Sequence, residues 1–203
     1  MKSRIFIFGA LAVALGGVAY GLHALFYQTY HFAIVQEGVL YRDGLQGMRR
    51  FRNAYRLHPF KAVINLQSES DIATKYQQQV GEEKEFCRAN QIQYFHLPIK
   101  EESLPTDAQI AEFVKIVDDP KNRPVFVHDS QGVIREGMIV AVWQMERMGY
   151  DQNRCLSEFN WFGHSAKPEV QKVVQKFIQN YVRQSDRERR NESSTEERET
   201  AQK

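Results

Sequence analysis

PVFVHDSQGVIREGM, residues 124–138, decides the reading of this chain. Val125-Phe126-Val127 is a short β-branched and aromatic run, the next residues form a tight loop containing Gly132, and Arg135 stands at the start of a helix. A strand that turns into a helix in this way brings loop N–H groups and the helix N-terminus to one point, and an arginine at the rim can hold two phosphate oxygens. The junction is therefore an anion cradle by construction.

Outward from the loop, β-rich runs alternate with helical patterns, which is the signature of an α/β layer structure. Downstream, Met138 to Met148 is strongly apolar and closes at Gly149, a C′ residue, so it reads as a buried central helix. Asp151 caps a helix through Phe159, and Val170, Val173, Val174, Phe177, Ile178 and Tyr181 trace a helical stripe after Pro168. Upstream, Thr106 caps a helix with Ile110, Phe113, Val114 and Val117 on one face, and Gln109 completes a capping box. Before it come an opening hairpin (Phe32 to Val35 and Val39 to Arg42), a helix at Arg49 to Leu57 and a strand at Ala62 to Leu66. A polar helix from Asp71 to Ala89 and a strand from Ile92 to Leu97 follow. The arginines 49, 50, 52 and 56 read as a solvated helix face, with anionic headgroups as the lesser alternative.

The ends differ from the middle. Ile5 to Phe26 is 22 residues without formal charge, long enough to cross a hydrocarbon core of about 30 Å. Lys2 and Arg4 precede it and the next basic residue is Arg42, so the N-terminus is expected in the cytoplasm and the domain outside. An aromatic cluster at Phe26, Tyr27 and Tyr30 favours an uncleaved anchor; the alternative is a signal peptide cut near Ala19-Tyr20-Gly21, releasing a secreted domain. Residues 183–203 hold no aromatic or branched aliphatic side chain and are expected to be disordered. The expected organisation is an anchor over 1–28, one domain over 29–182 and a charged tail over 183–203.

Of the 203 residues, 42% are apolar and 26% charged, enough for a packed core and too few for two ordinary domains. Outside the leader and tail, 19 basic residues balance 19 acidic ones. Such a domain lacks the electrostatic footprint that nucleic-acid binding requires. Cys87 and Cys155 fall in no metal-ligand spacing and read as two buried thiols, with a disulfide as the alternative. His31, His58, His96 and His164 likewise show no ligand spacing, and Trp143 and Trp161 are expected in packing. No metal or cofactor is called for.

The loop resembles that of the cysteine-dependent protein tyrosine phosphatases, in particular the small atypical dual-specificity group. Those proteins carry His-Cys, five residues, then Arg, Ser or Thr, and Gly; this chain has His128-Asp129, then Ser130, Gln131, Gly132, Val133 and Ile134, then Arg135-Glu136-Gly137. GVLYRDG at 38–44, KAVINLQ at 61–67 and YFHLPI at 94–99 occur in the family's order. The resemblance implies a central sheet of mixed, mostly parallel strands flanked by helices, here preceded by one transmembrane helix. It also implies that His128 orients the loop and that the general acid falls near Glu102, with Asp107 as another option.

For activity the same motif points the other way. The family's nucleophile is a thiolate, whereas this chain has Asp129, and the hydroxyl residue after the arginine is replaced by Glu136. An ionised Asp129 can accept the loop N–H bonds and pair with Arg135, so the cradle is expected to be self-occupied. A phosphate dianion ~4 Å from that carboxylate would meet repulsion of about 8 kcal/mol at an effective dielectric of about 20. The expectation is a membrane-anchored pseudophosphatase acting as a binding or regulatory module, with a phosphorylated or acidic protein as partner. The alternative is an active phosphomonoester phosphatase with Asp129 as an unconventional nucleophile, although no acidic metal cluster accompanies the loop.

Overall fold

A computed structural model describes residues 13–22, 31–44, 47–100, 103–162, 167–183 and 185–187. Its centre is a five-stranded sheet in the order β1-β2-β5-β3-β4. β1 (Ala33–Gln36) and β2 (Leu40–Gly44) form the expected hairpin, antiparallel with a register shift between Ile34 and Gln36. β3 (Ala62–Asn65), β4 (Gln93–His96) and β5 (Val125–Asp129) join β2 in parallel register, so the sheet is mixed and mostly parallel, as expected. β5 is central, and all five of its residues are buried.

Side-chain alternation along the strands builds two cores. Leu40, Ala62, Ile64, Val125 and Val127 face α3 (Asp107–Asp118) and α4 (Arg135–Trp143), meeting Phe113, Val117, Ile139 and Trp143. Tyr41, Val63 and Phe126 point the other way, against Phe51 and Ala54 of α1 (Met48–Leu57) and Cys87 of α2 (Gln77–Ala89). A third cluster seals α4 against α5 (Gln152–Phe162) and α6 (Pro168–Asn180), through Met138, Val142, Phe159, Val174 and Ile178. Thr106 and Gln109 form the anticipated capping box, and Gly149 ends the central helix in the left-handed region at φ 69.

One expectation shifts. The Asp71 to Ala89 helix begins earlier, at Ser68, whose side chain accepts from Asp71 N–H, and passes through a π-helical stretch, Ile72–Tyr76, before α2. The central helix starts at Arg135, the position at which the strand-loop-helix reading of residues 124–138 places a helix start, because the loop delivers the chain directly into helical geometry. Cys87 and Cys155 are both buried and free, in separate clusters, which excludes the disulfide alternative; burial pushes each thiol up to about 12, with Glu83 and Glu158 as further causes.

The expected spanning helix from Ile5 to Phe26 falls largely outside the described residues. Residues 13–22 of it are helical, and among the described residues no helix is long and apolar enough to cross a membrane. Most of the tail also lies outside the described residues.

Candidate functional site

Asp129 closes β5 and is 2% exposed. Its Oδ1 accepts from Gln131 N–H at 2.8 Å and Gly132 N–H at 2.5 Å; its Oδ2 accepts from Arg135 N–H at 3.2 Å and Glu136 N–H at 3.4 Å. The loop and the first turn of α4 thus direct four backbone donors at one carboxylate. Asp129 is expected from the sequence to accept loop N–H bonds, and these four are bonds of that kind. Gly132 makes the turn at φ 70, and a Cβ there would lie 2.5 Å from Gly44 N, so the loop packs directly on the end of β2. His31, just ahead of β1, has Nδ1 2.8 Å from the carbonyl of Gln131.

Arg135 is 5% exposed and engaged on several sides. Its Nη1 donates to Asp71 Oδ2 at 2.5 Å and to Ile99 O at 3.3 Å, its Nη2 donates to Ser130 Oγ at 3.1 Å, and its Nε lies 3.7 Å from Asp129 Oδ2. Burial pushes the Asp71 carboxyl up, but the Arg135 and Ser68 hydrogen bonds outweigh it and hold it below its ordinary value. Asp71 therefore closes a capping box and neutralises the loop arginine together. Ser130 also accepts from Gln67 Nε2 at 3.1 Å, and Gln67 is held by Asn65, which reaches Tyr94 Oη at 2.9 Å.

Beneath the loop sit two further buried pairs. His128 Nε2 meets Glu83 Oε1 at 2.8 Å, with both side chains fully buried, and Nδ1 lies 3.3 Å from Asp129 O. Burial lowers the His128 pKa, yet Glu83, through its charge and hydrogen bond, raises it above the ordinary value. Glu136 is also fully buried and forms an ion pair with Arg42 Nε, although its oxygens receive no aligned hydrogen bond. Burial drives its carboxyl well above the usual range, with Asp129 and Asp43 adding to the effect and Arg42 opposing it. Arg42 Nη2 donates to Gly132 O at 3.1 Å, tying this pair to the loop.

The sequence-derived residues 128–136 come together at one place. Asp107 does not join them: its side chain is 83% exposed and pairs with Arg187 at 3.2 Å. Glu102 lies outside the described residues; Ser103 and Leu104, which follow it, line a cavity of about 280 Å³ with Ile134 of the loop. Among the described residues no group of acidic, His or Cys side chains could hold a metal.

Asp71, Glu83, Arg42 and Gln67 were not singled out from the sequence. Two of them had a signal. Ser68-x-x-Asp71 is a capping-box spacing, and Glu83 falls on the buried stripe between Val80 and Cys87, where a carboxylate requires a partner.

A family model described as a DSP-PTPase phosphatase fused to NAD+ kinase matches residues 55–201. A probable NAD kinase 2, chloroplastic, of Oryza sativa subsp. japonica is 26% identical over 106 residues, 50% of this chain and 10% of that protein. NAD kinase 2, chloroplastic, of Arabidopsis thaliana is 29% identical over 85 residues, 42% of this chain and 8% of its own length. The chain thus spans about a tenth of the length of these relatives. The core catalytic domain of the PP-IP phosphatase SIW14 from S. cerevisiae superposes with a TM-score of 0.64 at 19% identity, covering 83% of this chain and 96% of that one.

Proposed function

The chain belongs to the family described as DSP-PTPase phosphatase fused to NAD+ kinase, and from that premise we propose that it is a membrane-anchored pseudophosphatase, a binding or regulatory module whose anion cradle is filled by its own Asp129. The observation that carries the proposal is the set of four backbone N–H groups bonded to the Asp129 carboxylate. The N–H groups of Gln131, Gly132, Arg135 and Glu136, four of the donors at this junction, already have an acceptor. Arg135, the side chain that would complete the cradle, is committed to Asp71 and Ser130.

A thiolate at position 129 would be both nucleophile and leaving group. A carboxylate held by four donors is a poor nucleophile, since attack on phosphorus would require it to give up those bonds and approach a dianion of its own sign. Glu136, in place of a hydroxyl residue, is turned to Arg42 beneath the loop and offers no hydroxyl to the site.

Membrane attachment belongs to the same proposal, with the N-terminus in the cytoplasm and the domain outside. Residues 13–22 support it: Val13, Leu15, Val18, Tyr20 and Leu22 of this apolar helix are between 51% and 77% exposed. The partner we propose is a phosphorylated or acidic protein, met by the module's surface rather than by the filled cradle.

A phosphomonoester assay on the purified chain tests the reading. No turnover of an aryl phosphate is expected with or without Mg²⁺. Turnover that disappears in Asp129→Asn would establish the alternative, an active phosphatase with an aspartyl nucleophile. In the other direction, Asp129→Cys with Glu136→Thr restores the residue types the family motif carries, and recovered hydrolysis would show the remaining machinery intact.

A further inference from the structure

α1 carries Arg49, Arg50, Arg52 and Arg56 and no acidic residue. At 100° per residue, positions 49, 52 and 56 lie within about 60° of one another, and all three are exposed. They form one stripe along the helix, flanked by Arg50. The opposite face of α1, with Phe51 and Ala54, is sealed into the core against α2.

Helix stability does not account for this placement. Two of the arginines lie in the first turn, where the helix dipole disfavours positive charge, and the helix's own sequence places neither a side-chain cap nor an acidic residue in that turn. Nor does overall composition, since the domain is neutral and α2 beside it mixes Glu82 and Glu85 with Lys84 and Arg88. The positive charge is concentrated on one helix.

The position of that helix relative to the chain's entrance supplies the second observation. Phe32, the second described residue after the leader, stacks on His58 at the C-terminal end of α1 with ring centroids 4.5 Å apart, and packs on Tyr41 at 6.1 Å. Only residues 23–30 separate the apolar helix 13–22 from His31. Eight residues of extended chain reach no more than about 28 Å, so an anchored leader would hold α1 close to the bilayer surface. Leu57, 36% exposed at the same end of the helix, adds an apolar contact of the kind that enters a headgroup layer.

We propose that the arginine stripe of α1 docks on anionic lipid headgroups and lays the domain down on the membrane by that face. The inference rests on the anchored reading given above and adds an orientation and a lipid chemistry to it. Each arginine near an anionic surface gains roughly fivefold in apparent affinity, and the gain weakens as salt shortens the Debye length.

The full chain reconstituted into vesicles of phosphatidylcholine alone, and of phosphatidylcholine with an equal part of phosphatidylglycerol, tests it by amide hydrogen exchange. Peptides from α1 should exchange at least about tenfold more slowly in the anionic vesicles, with the difference lost at high salt and in Arg49→Gln/Arg56→Gln. That variant leaves Arg52 over the Phe86 ring, and its circular dichroism spectrum checks that it is folded before exchange is compared. Equal α1 exchange in both vesicles, from a chain that floats with each, would overturn the docking surface while leaving the anchor standing. A chain that fails to float with neutral vesicles but still shows salt-sensitive α1 protection on anionic ones supports the docking surface and sinks the anchor. Equal protection by duplex DNA at the same phosphate concentration would assign the stripe to nucleic acid instead and overturn the lipid assignment.

Discussion

The apolar side chains of β5 and the charged or titratable side chains gathered at the loop that follows it are similarly buried and hold together by different physics. Phe126 and Val127 are removed from water among hydrocarbon and aromatic neighbours, Phe126 lying against Phe60 at 4.6 Å and Phe51 at 5.6 Å. A few residues on, Asp129, Arg135, Glu136 and His128 are between 0% and 5% exposed, and each is charged or titratable. In the first region stability scales with area and tolerates any side chain of the right volume. In the second it depends on complete pairing, because each ion is stable only beside its partner.

The largest effects come from removing one side chain from either region. Phe126→Ala should cost about 3–5 kcal/mol through lost burial and a cavity. Arg135→Ala should cost a similar ~3–5 kcal/mol for a different reason, leaving Asp71 and Asp129 buried without their counter-ion. Urea denaturation measures both.

Paired replacement then separates the regions. Arg42→Met alone should cost about 3 kcal/mol or more by stranding Glu136, whereas Arg42→Met with Glu136→Leu should return to within roughly 1 kcal/mol of the parent. A double variant as unstable as the sum of its parts would break the distinction drawn here.

A smaller effect lies in pH. His128 has its folded pKa raised above the ordinary 6.5, so its contribution is complete below that value and is lost as pH climbs through the folded pKa. Glu136, raised from 4.5, acts in the same direction. Asp71, lowered from 3.8, acts oppositely, its contribution being lost only as pH falls below that value. The melting temperature should therefore decline on going from mildly acid to alkaline solution. Glu83→Gln should flatten the part of that decline above about pH 6.5, since it removes the charge that raises His128. An unchanged slope would detach the dyad from the pH response.

The smallest change should be Ile64→Val in the sheet core, about 0.5–1.5 kcal/mol.

The same contrast explains what was legible in the sequence. The apolar runs Ala62-Val63-Ile64 and Val125-Phe126-Val127, the Thr106/Gln109 box and the Gly149 terminus are local signals, and the structure follows them. Asp129 and Arg135 were readable because the eight residues 129–136 hold both the carboxylate and the donors around it. The partners Asp71, Glu83 and Arg42 were not, since they reach the loop from β2 and from the helical run ahead of β4, and long-range pairing of charges leaves no periodicity. Glu83 came nearest, as a charge on an apolar stripe whose partner only the folded sheet reveals.

The central claim is that Asp129 occupies the place of a phosphoryl group. Calorimetric titration of inorganic phosphate into the parent chain and into Asp129→Ser tests it most directly. The account predicts no saturable binding at millimolar phosphate by the parent, and binding at least about tenfold tighter by the variant once the like charge is gone. Equal affinity in the two proteins, or tight binding by the parent, would contradict it.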